Sequence, residues 1–515
     1  MKKPSDQKIQ QFLQLGLFAL SGLYLVLYLY LAFQRVFFPF DIEWAEGAAL
    51  LQVKQILLGK RLYQSPNLTF VPLVYTPLYH YLSALVSLLV GEGFTGLRLV
   101  STFSSIAVTG LIFSIVYRET KDGFASWIAG TLYLACFPLS GGFYDLARVD
   151  SLFILLILVT FLLYKRAEKG LDLAVAGAFI AISFFAKQTA LVIFLPMLIY
   201  AGFQHRKRSI SLYITSLIGV GVPILIWNYI SSGWFQYYIF QLPQEHGYSI
   251  IDAVNFWVGD TLRPLGIAFI FGLLFLLQGC FQESQRGSEG ETKVKEGYLT
   301  YVIFFVGCFL GSWITRASNG GAENNNMPAY ASLSIMLGLG FAQAKQWVQQ
   351  QDKMGKRGTL IITLMAMIQF IALLYNPLIY IPTPEDKRSN QDLIAFMEKT
   401  PGDVFIPFRS HLPGFVGKAT HTHVVSIFEL VGYFHGEIQP QGVALLDEIR
   451  NNIANQEYGA VILDRPLPWF DEELKAWYHP LERGEMPAEG AGSKVMEWQT
   501  GLDNIYVPID QDQGE

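Results

Sequence analysis

The sequence predicts an all-α polytopic membrane protein of about eleven transmembrane helices with a small α/β domain at its C-terminal end, and three observations predict it. Of 515 residues, 52% are hydrophobic and only 15% charged, more apolar sequence than a soluble chain of this length needs. Several apolar runs, among them 11–33, 97–117 and 359–380, reach the roughly 17 to 25 residues a spanning helix requires. The charge is also unevenly divided. Residues 381–515 hold 22 acids against 10 Lys and Arg, a net of −12, which leaves +7 on residues 1–380, so two regions with different solvents are implied.

At the N-terminus, Lys2, Lys3 and Lys8 precede a long apolar run that has no small-residue cleavage site, which predicts a retained signal anchor. Lys/Arg clusters mark the cytoplasmic side. They recur as Arg118/Lys121, Lys165/Arg166/Lys169, Arg206/Lys207/Arg208, Lys293/Lys295 and Lys353/Lys356/Arg357. The resulting spans are 11–33, 97–117, 124–140, 149–164, 171–186, 189–203, 210–230, 262–280, 297–315, 328–344 and 359–380. Between the first two lies an external loop, 34–96. Within that loop, Pro77 to Val90 is apolar but short, which suits an interfacial or re-entrant helix.

Parity puts the N-terminus in the cytoplasm and the C-terminal region outside a plasma membrane. The chain thus divides into a transmembrane domain, 1–380, and an extracytoplasmic domain, 381–515. The break falls at Ile381-Pro-Thr-Pro-Glu-Asp, where long apolar runs cease. Beyond it, Asn390 to Lys399 and Val443 to Ile453 read as helices, and Asp403 to Phe408 and Ala460 to Asp464 as strands.

Ionisable groups at membrane depth are costly and therefore functional candidates, and here they gather on the outer side. Asp41, Glu43 and Glu46 open the first external loop. As a bland alternative, they are acids complementing a helix N-terminus; as a functional one, a partly desolvated carboxylate serves as a general base toward a hydroxyl or amine. Arg148 and Asp150 open the fourth span, as a structural salt bridge or with the basic residue holding a phosphate. Lys187 sits in an outer turn, either snorkelling to the interface or facing an anion. His246 lies beside Glu245 in an aromatic connection, 231–261, that reads as an interfacial belt or as a lid over a lipid-linked substrate. Arg316, Glu323 and Asn325 mark the outer end of the ninth span.

Other chemistries find no support. Cys136, Cys280 and Cys308 lie in or beside apolar runs and give neither a disulfide framework nor a zinc site. His411, His421, His423 and His435 lack a helix-borne metal spacing. Neither a P-loop nor a G-x-G-x-x-G fingerprint is present, so an ATP-independent process is expected, without nucleic acid.

Four stretches carry a resemblance to the GT-C superfamily of membrane glycosyltransferases, near the protein O-mannosyltransferase and aminoarabinose transferase branch (glycosyltransferase family 39-like). The first joins Phe40-Asp-Ile-Glu-Trp-Ala-Glu-Gly with Leu58-Gly-Lys-Arg-Leu-Tyr63 and Tyr75-Thr-Pro-Leu-Tyr-His80. The others are Ala147-Arg-Val-Asp150, Phe185-Ala-Lys-Gln-Thr189 and Gly320-Gly-Ala-Glu-Asn-Asn325. The resemblance implies transfer of a sugar from a polyprenyl-phosphate donor to a lipid, polysaccharide or protein acceptor, usually with inversion. It implies Asp41 as the base, with Glu43 or Glu46 beside it, and donor or substrate contacts from Tyr75, His80, Arg148, Asp150, Lys187, His246, Arg316, Glu323 and Asn325. It also implies no resident cofactor. Some superfamily members use a divalent ion, which Asp41, Glu43 and Asp150 could bind, but none is favoured. The adjacent Asp-Glu of the family is spread here as Asp-x-Glu, and Thr76-Pro77 replaces Pro-Pro. Rival classes are a transporter or flippase, which calls for internal repeats and midplane acids, and a non-catalytic scaffold.

Overall fold

A computed structural model describes residues 6–283, 290–351, 355–434, 436–481 and 504–509. Each of the eleven places marked as a span holds a helix, and two shorter helices follow the first. The helices run as α1 (Asp6–Val36), α2 (Glu46–Leu57), α3 (Leu78–Val90), α4 (Phe94–Thr120), α5 (Gly123–Ala135), α6 (Asp150–Lys165), α7 (Gly170–Ala186) and α8 (Ala190–Gln204). They continue as α9 (Ser209–Ile230), α10 (Arg263–Glu283), α11 (Gly290–Ala317), α12 (Met327–Gln349) and α13 (Gly355–Ala372). The bundle exposes large apolar side chains, as at Phe203, Leu217 and Leu225, each at least 70% exposed.

The expectation of eleven full spans is met only in part. Among the described residues, five helices are long and apolar enough to cross a membrane: Lys8–Val36, Phe94–Thr120, Arg206–Ile230, Ile250–Leu277 and Tyr298–Ala317. A sixth arises if Arg357–Ala372 and Pro377–Lys399, bent by 51°, count as one. One of the others is visibly cut short by local chemistry. Where 124–140 was expected, α5 stops at Ala135, because Pro138 has no N–H to continue it. A 3₁₀ turn, Pro138–Ser140, follows, and Gly141 and Gly142 then turn the chain at φ of 67° and 74°, a region glycine enters without penalty. The stretch 231–261 is mostly helical rather than a loop, with π-helical turns at Tyr237–Gln241 and Phe256–Leu262.

Helices approach closely where small residues allow it. A Cβ on Gly340 of α12 would collide with the carbonyl oxygen of Phe271 in α10, so the α10–α12 contact depends on glycine there.

After the bundle, Thr383 and Asp386 form a capping box that starts α14 (Pro384–Lys399). Then come β1 (Asp403–Phe405), α15 (Val424–Leu430), α16 (Pro440–Ala454), β2 (Tyr458–Leu463), α17 (Asp471–Trp477), β3 (Tyr478–Pro480) and β4 (Asn504–Pro508). β1 is shorter than the expected 403–408 because Pro407 diverts the chain into a 3₁₀ turn. The sheet order is β1-β2-β4-β3, with β1 and β2 parallel and the other pairs antiparallel. Leu445, Leu446, Ile449 and Ile453 form the buried stripe of α16.

This small domain shares a core with one end of the bundle. Leu51, Leu62, Phe70, Phe235 and Leu242 pack in one apolar cluster with Phe405, Phe428, Leu446 and Leu463. Hydrogen bonds reinforce the seam: Thr422 donates through its N–H to the Leu68 carbonyl (2.7 Å) and through its hydroxyl to that of Asn67 (2.7 Å).

Candidate active site

The acid loop between α1 and α2 is held by two buried ion pairs. Arg98 of α4 is fully buried and donates to the carbonyls of Arg35 (3.0 Å), Phe38 (2.7 Å) and Phe40 (2.7 Å) and to both oxygens of Glu46 (2.9 and 2.6 Å). Glu46 accepts three further bonds, from the N–H groups of Ile42 (2.7 Å), Glu43 (3.3 Å) and Ala147 (2.6 Å). Burial alone would raise its proton affinity, but Arg98 and these donors hold its carboxyl below the usual range. The second pair joins Arg35 to Asp145 at 3.0 Å, with both side chains fully buried. Glu46, expected among the catalytic acids, is thus a saturated structural carboxylate with no lone pair left for a substrate proton. Arg98 lies in the run 97–117, where a charge in an apolar helix was the available signal.

With the loop pinned, Glu43 meets Arg148 at 3.2 Å. Arg148 also donates to the Tyr75 hydroxyl (3.1 Å) and lies over the rings of Tyr75 and Phe143, 5.7 and 5.5 Å from their centroids. Burial pushes the Glu43 carboxyl up to about 7 against the pull of Arg148. Burial would also lower Arg148, yet Glu43 and Tyr75 more than reverse this and keep the guanidinium charged. His80 is fully buried beside this group, and neither ring nitrogen has a hydrogen-bond partner among the described residues.

One turn away, Lys187 donates to Asp150 at 2.7 Å and to Asn325 at 3.0 Å. Two bonds hold the Lys187 turn in place: Thr76 donates to the Phe184 carbonyl (2.9 Å), and Gln188 to that of Val74 (2.9 Å). Donors remain on both cations. Lys187 has used two of three ammonium hydrogens, and Arg148 Nε is buried without a partner among the described residues.

Asp41 lies near Glu43, at the domain seam. It is 4% exposed, and across the domain seam its carboxylate lies 3.4 Å from His411 Nε2. Burial raises its proton affinity, partly offset by the charge of Arg409.

Three expected donor contacts sit elsewhere. Arg316 is taken up by Asp260 (2.9 Å), Asp252 (3.1 Å) and the Gly321 carbonyl (2.9 Å). His246 bonds Glu429 at 2.6 Å and ties the 231–261 stretch to the C-terminal domain. Burial lowers the proton affinity of His246, but Glu429 more than restores it. Glu323 lies near Gly141. His423 caps α15, accepting from the Val425 N–H (3.2 Å), and His435 lies outside the described residues. Among those residues, no group of three or more His, Cys, Asp or Glu is placed to share a metal ion.

Residues 72–230 match the family model described as dolichyl-phosphate-mannose-protein mannosyltransferase. That stretch contains Tyr75, His80, Arg148, Asp150 and Lys187. Of solved structures, ArnT from Cupriavidus metallidurans bound to undecaprenyl phosphate is similar with a TM-score of 0.59 at 11% identity, over 95% of this chain and 98% of that one. Its apo state gives 0.56 at 11% identity, over 94% and 97%. The apo oligosaccharyltransferase of Archaeoglobus fulgidus gives 0.50 at 10% identity, over 96% and 76%. No curated protein matches in sequence. The likeness to the solved structures establishes a shared fold, and with the family match it bears out the resemblance to GT-C glycosyltransferases read from the motifs.

Proposed function

We propose that the chain is a membrane glycosyltransferase that moves a sugar from a polyprenyl-phosphate carrier to a hydroxyl or amine acceptor at the outer face of a bacterial plasma membrane. The observation that carries this reading is the gathering of two raised carboxylates, Asp41 and Glu43, and two cations with donors to spare, Arg148 and Lys187, at one end of the bundle. Asp41 removes the acceptor's proton, and the acceptor's lone pair attacks the anomeric carbon. The bond from that carbon to the phosphate oxygen breaks, and the electron pair leaves on the polyprenyl phosphate. Arg148 and Lys187 meet the charge that develops on the leaving phosphate, and Glu43 fixes the angle of Arg148. The ArnT structure bound to undecaprenyl phosphate supports a lipid phosphate as the carrier.

The chemistry is assigned to side chains without a resident metal, so transfer is expected to survive chelation. Loss with EDTA and return with a divalent ion would instead place a cation among Asp41, Glu43 and Asp150.

The deciding experiment incubates the purified protein with a panel of labelled polyprenyl-phosphate sugars. Transfer or donor hydrolysis is expected, falling about 10²- to 10⁴-fold in Asp41→Asn while the variant inserts and purifies normally. Normal turnover by that variant removes the assignment of the base. Absence of both donor turnover and polyprenyl-phosphate binding in the parent protein overturns the whole reading.

A further inference from the structure

We infer that the C-terminal domain completes the catalytic centre by supplying His411 as the positioning residue for Asp41, an inference that rests on the reading of Asp41 as the acceptor's base. The two side chains are 5% and 2% exposed and face each other across the seam at 3.4 Å. Neither nitrogen of His411 makes a hydrogen bond among the described residues. Its ring is seated by the edge of Phe94, with centroids 5.2 Å apart, and by Phe415 at 6.2 Å. Gly47, one residue beyond Glu46, leaves it room, since a Cβ there would lie 2.6 Å from Nδ1. The ring also forms part of the wall of a cavity of about 120 Å³, together with Lys54, Glu92 and Gly414, which is space enough for water.

The charged and titratable groups facing Asp41 are Glu43 from its own loop, Glu46 of α2, Arg98 of α4, and Arg409, His411 and Asp464 of the C-terminal domain. Arg98 spends its hydrogen bonds on Glu46 and on backbone carbonyls, while Arg409 bonds Asp464 at 3.3 Å. Both act on Asp41 through charge. His411 is the neighbour placed to give it a directed bond. Burial holds the imidazole neutral, with its value pushed down to about 3, so it offers one N–H and one lone pair. An N–H aimed at one oxygen of Asp41 orients the carboxylate and leaves the other oxygen for the acceptor's proton. Contacts of this kind shorten to hydrogen-bond length when substrate binds.

The test compares His411→Phe, His411→Asn and Gly47→Ala in the full-length protein. Loss of the donor in His411→Phe is expected to cost about tenfold in kcat, the worth of one bond to a charged group, with little change in KM. The acid limb of the pH profile should move to higher pH, because a carboxylate without its donor holds its proton more tightly. Asparagine should restore much of both, and Gly47→Ala, which pushes the ring aside, should repeat the phenylalanine effect. An acid limb that stays in place in both His411→Phe and Gly47→Ala overturns the inference. A second readout does not depend on turnover. Melting temperatures of Asp41→Asn, His411→Phe and the double variant, taken from pH 5 to 8, should be non-additive. Additive shifts overturn the pairing. If the parent protein transfers no sugar from any donor while the cycle remains coupled, the proposed function falls and the pairing stands.

Discussion

At the residue scale, the three acids of the first loop have separate duties. Glu46 is half of a buried, fully bonded pair, and breaking such a pair by removing one partner costs about 3–5 kcal/mol. Arg98→Met should therefore lower the melting temperature in detergent sharply, whereas Glu43→Gln should purify well and lose transfer. Glu43 carries a pH signature as well. Its carboxyl, raised to about 7 from 4.5, holds a proton more tightly in the folded protein than in the unfolded chain. The associated stability is complete below pH 4.5 and is lost as the pH rises to about 7. Glu43→Gln should flatten the decline in melting temperature over that window, and an unchanged slope would contradict the shift. The sequence placed Asp41, Glu43, Arg148 and Lys187 on one side, because charges in an apolar chain stand out. It could not separate Glu46 from the others, since what distinguishes Glu46 is Arg98, 52 residues away. Nor could it show that Arg316 and His246 are already satisfied by Asp252, Asp260 and Glu429.

At the element scale, long apolar runs located a helix at each of the eleven expected spans. They could not give the helix lengths, because the ends are set by local breakers such as Pro138. The short helices of 231–261 were illegible for the opposite reason: their aromatic residues fit an interfacial belt equally well. Packing between elements rests on close approach. Replacing Gly340 with leucine should force α10 and α12 apart at Phe271, at a cost of about 1–3 kcal/mol from overpacking, read as a lower melting temperature. A variant that melts with the parent would show that the two helices part without penalty.

For the whole molecule, the charge count suggested a second region after residue 380, and the sheet and helices there follow the expected order. Its docking could not be read from sequence, because the contacts that hold it join residues hundreds of positions apart, such as Asp41 with His411 and Leu68 with Thr422. The proposed orientation can be tested directly in a cysteine-free background. An introduced cysteine at Tyr248, 71% exposed, should react with an impermeant thiol reagent on intact cells. One at Lys169, also exposed, should react only after permeabilisation. The reverse pattern would invert the protein in its membrane.

The shared core between the acid loop and the last part of the chain also sets an order in time. The ribosome delivers Asp41 long before His411, so the carboxylate stays open to water until the domain that carries His411 has folded onto it. On the proposed reading, competence to transfer sugar is acquired only with that event, and a nascent chain stalled before it holds Glu43, Arg148 and Lys187 yet lacks the partner of Asp41.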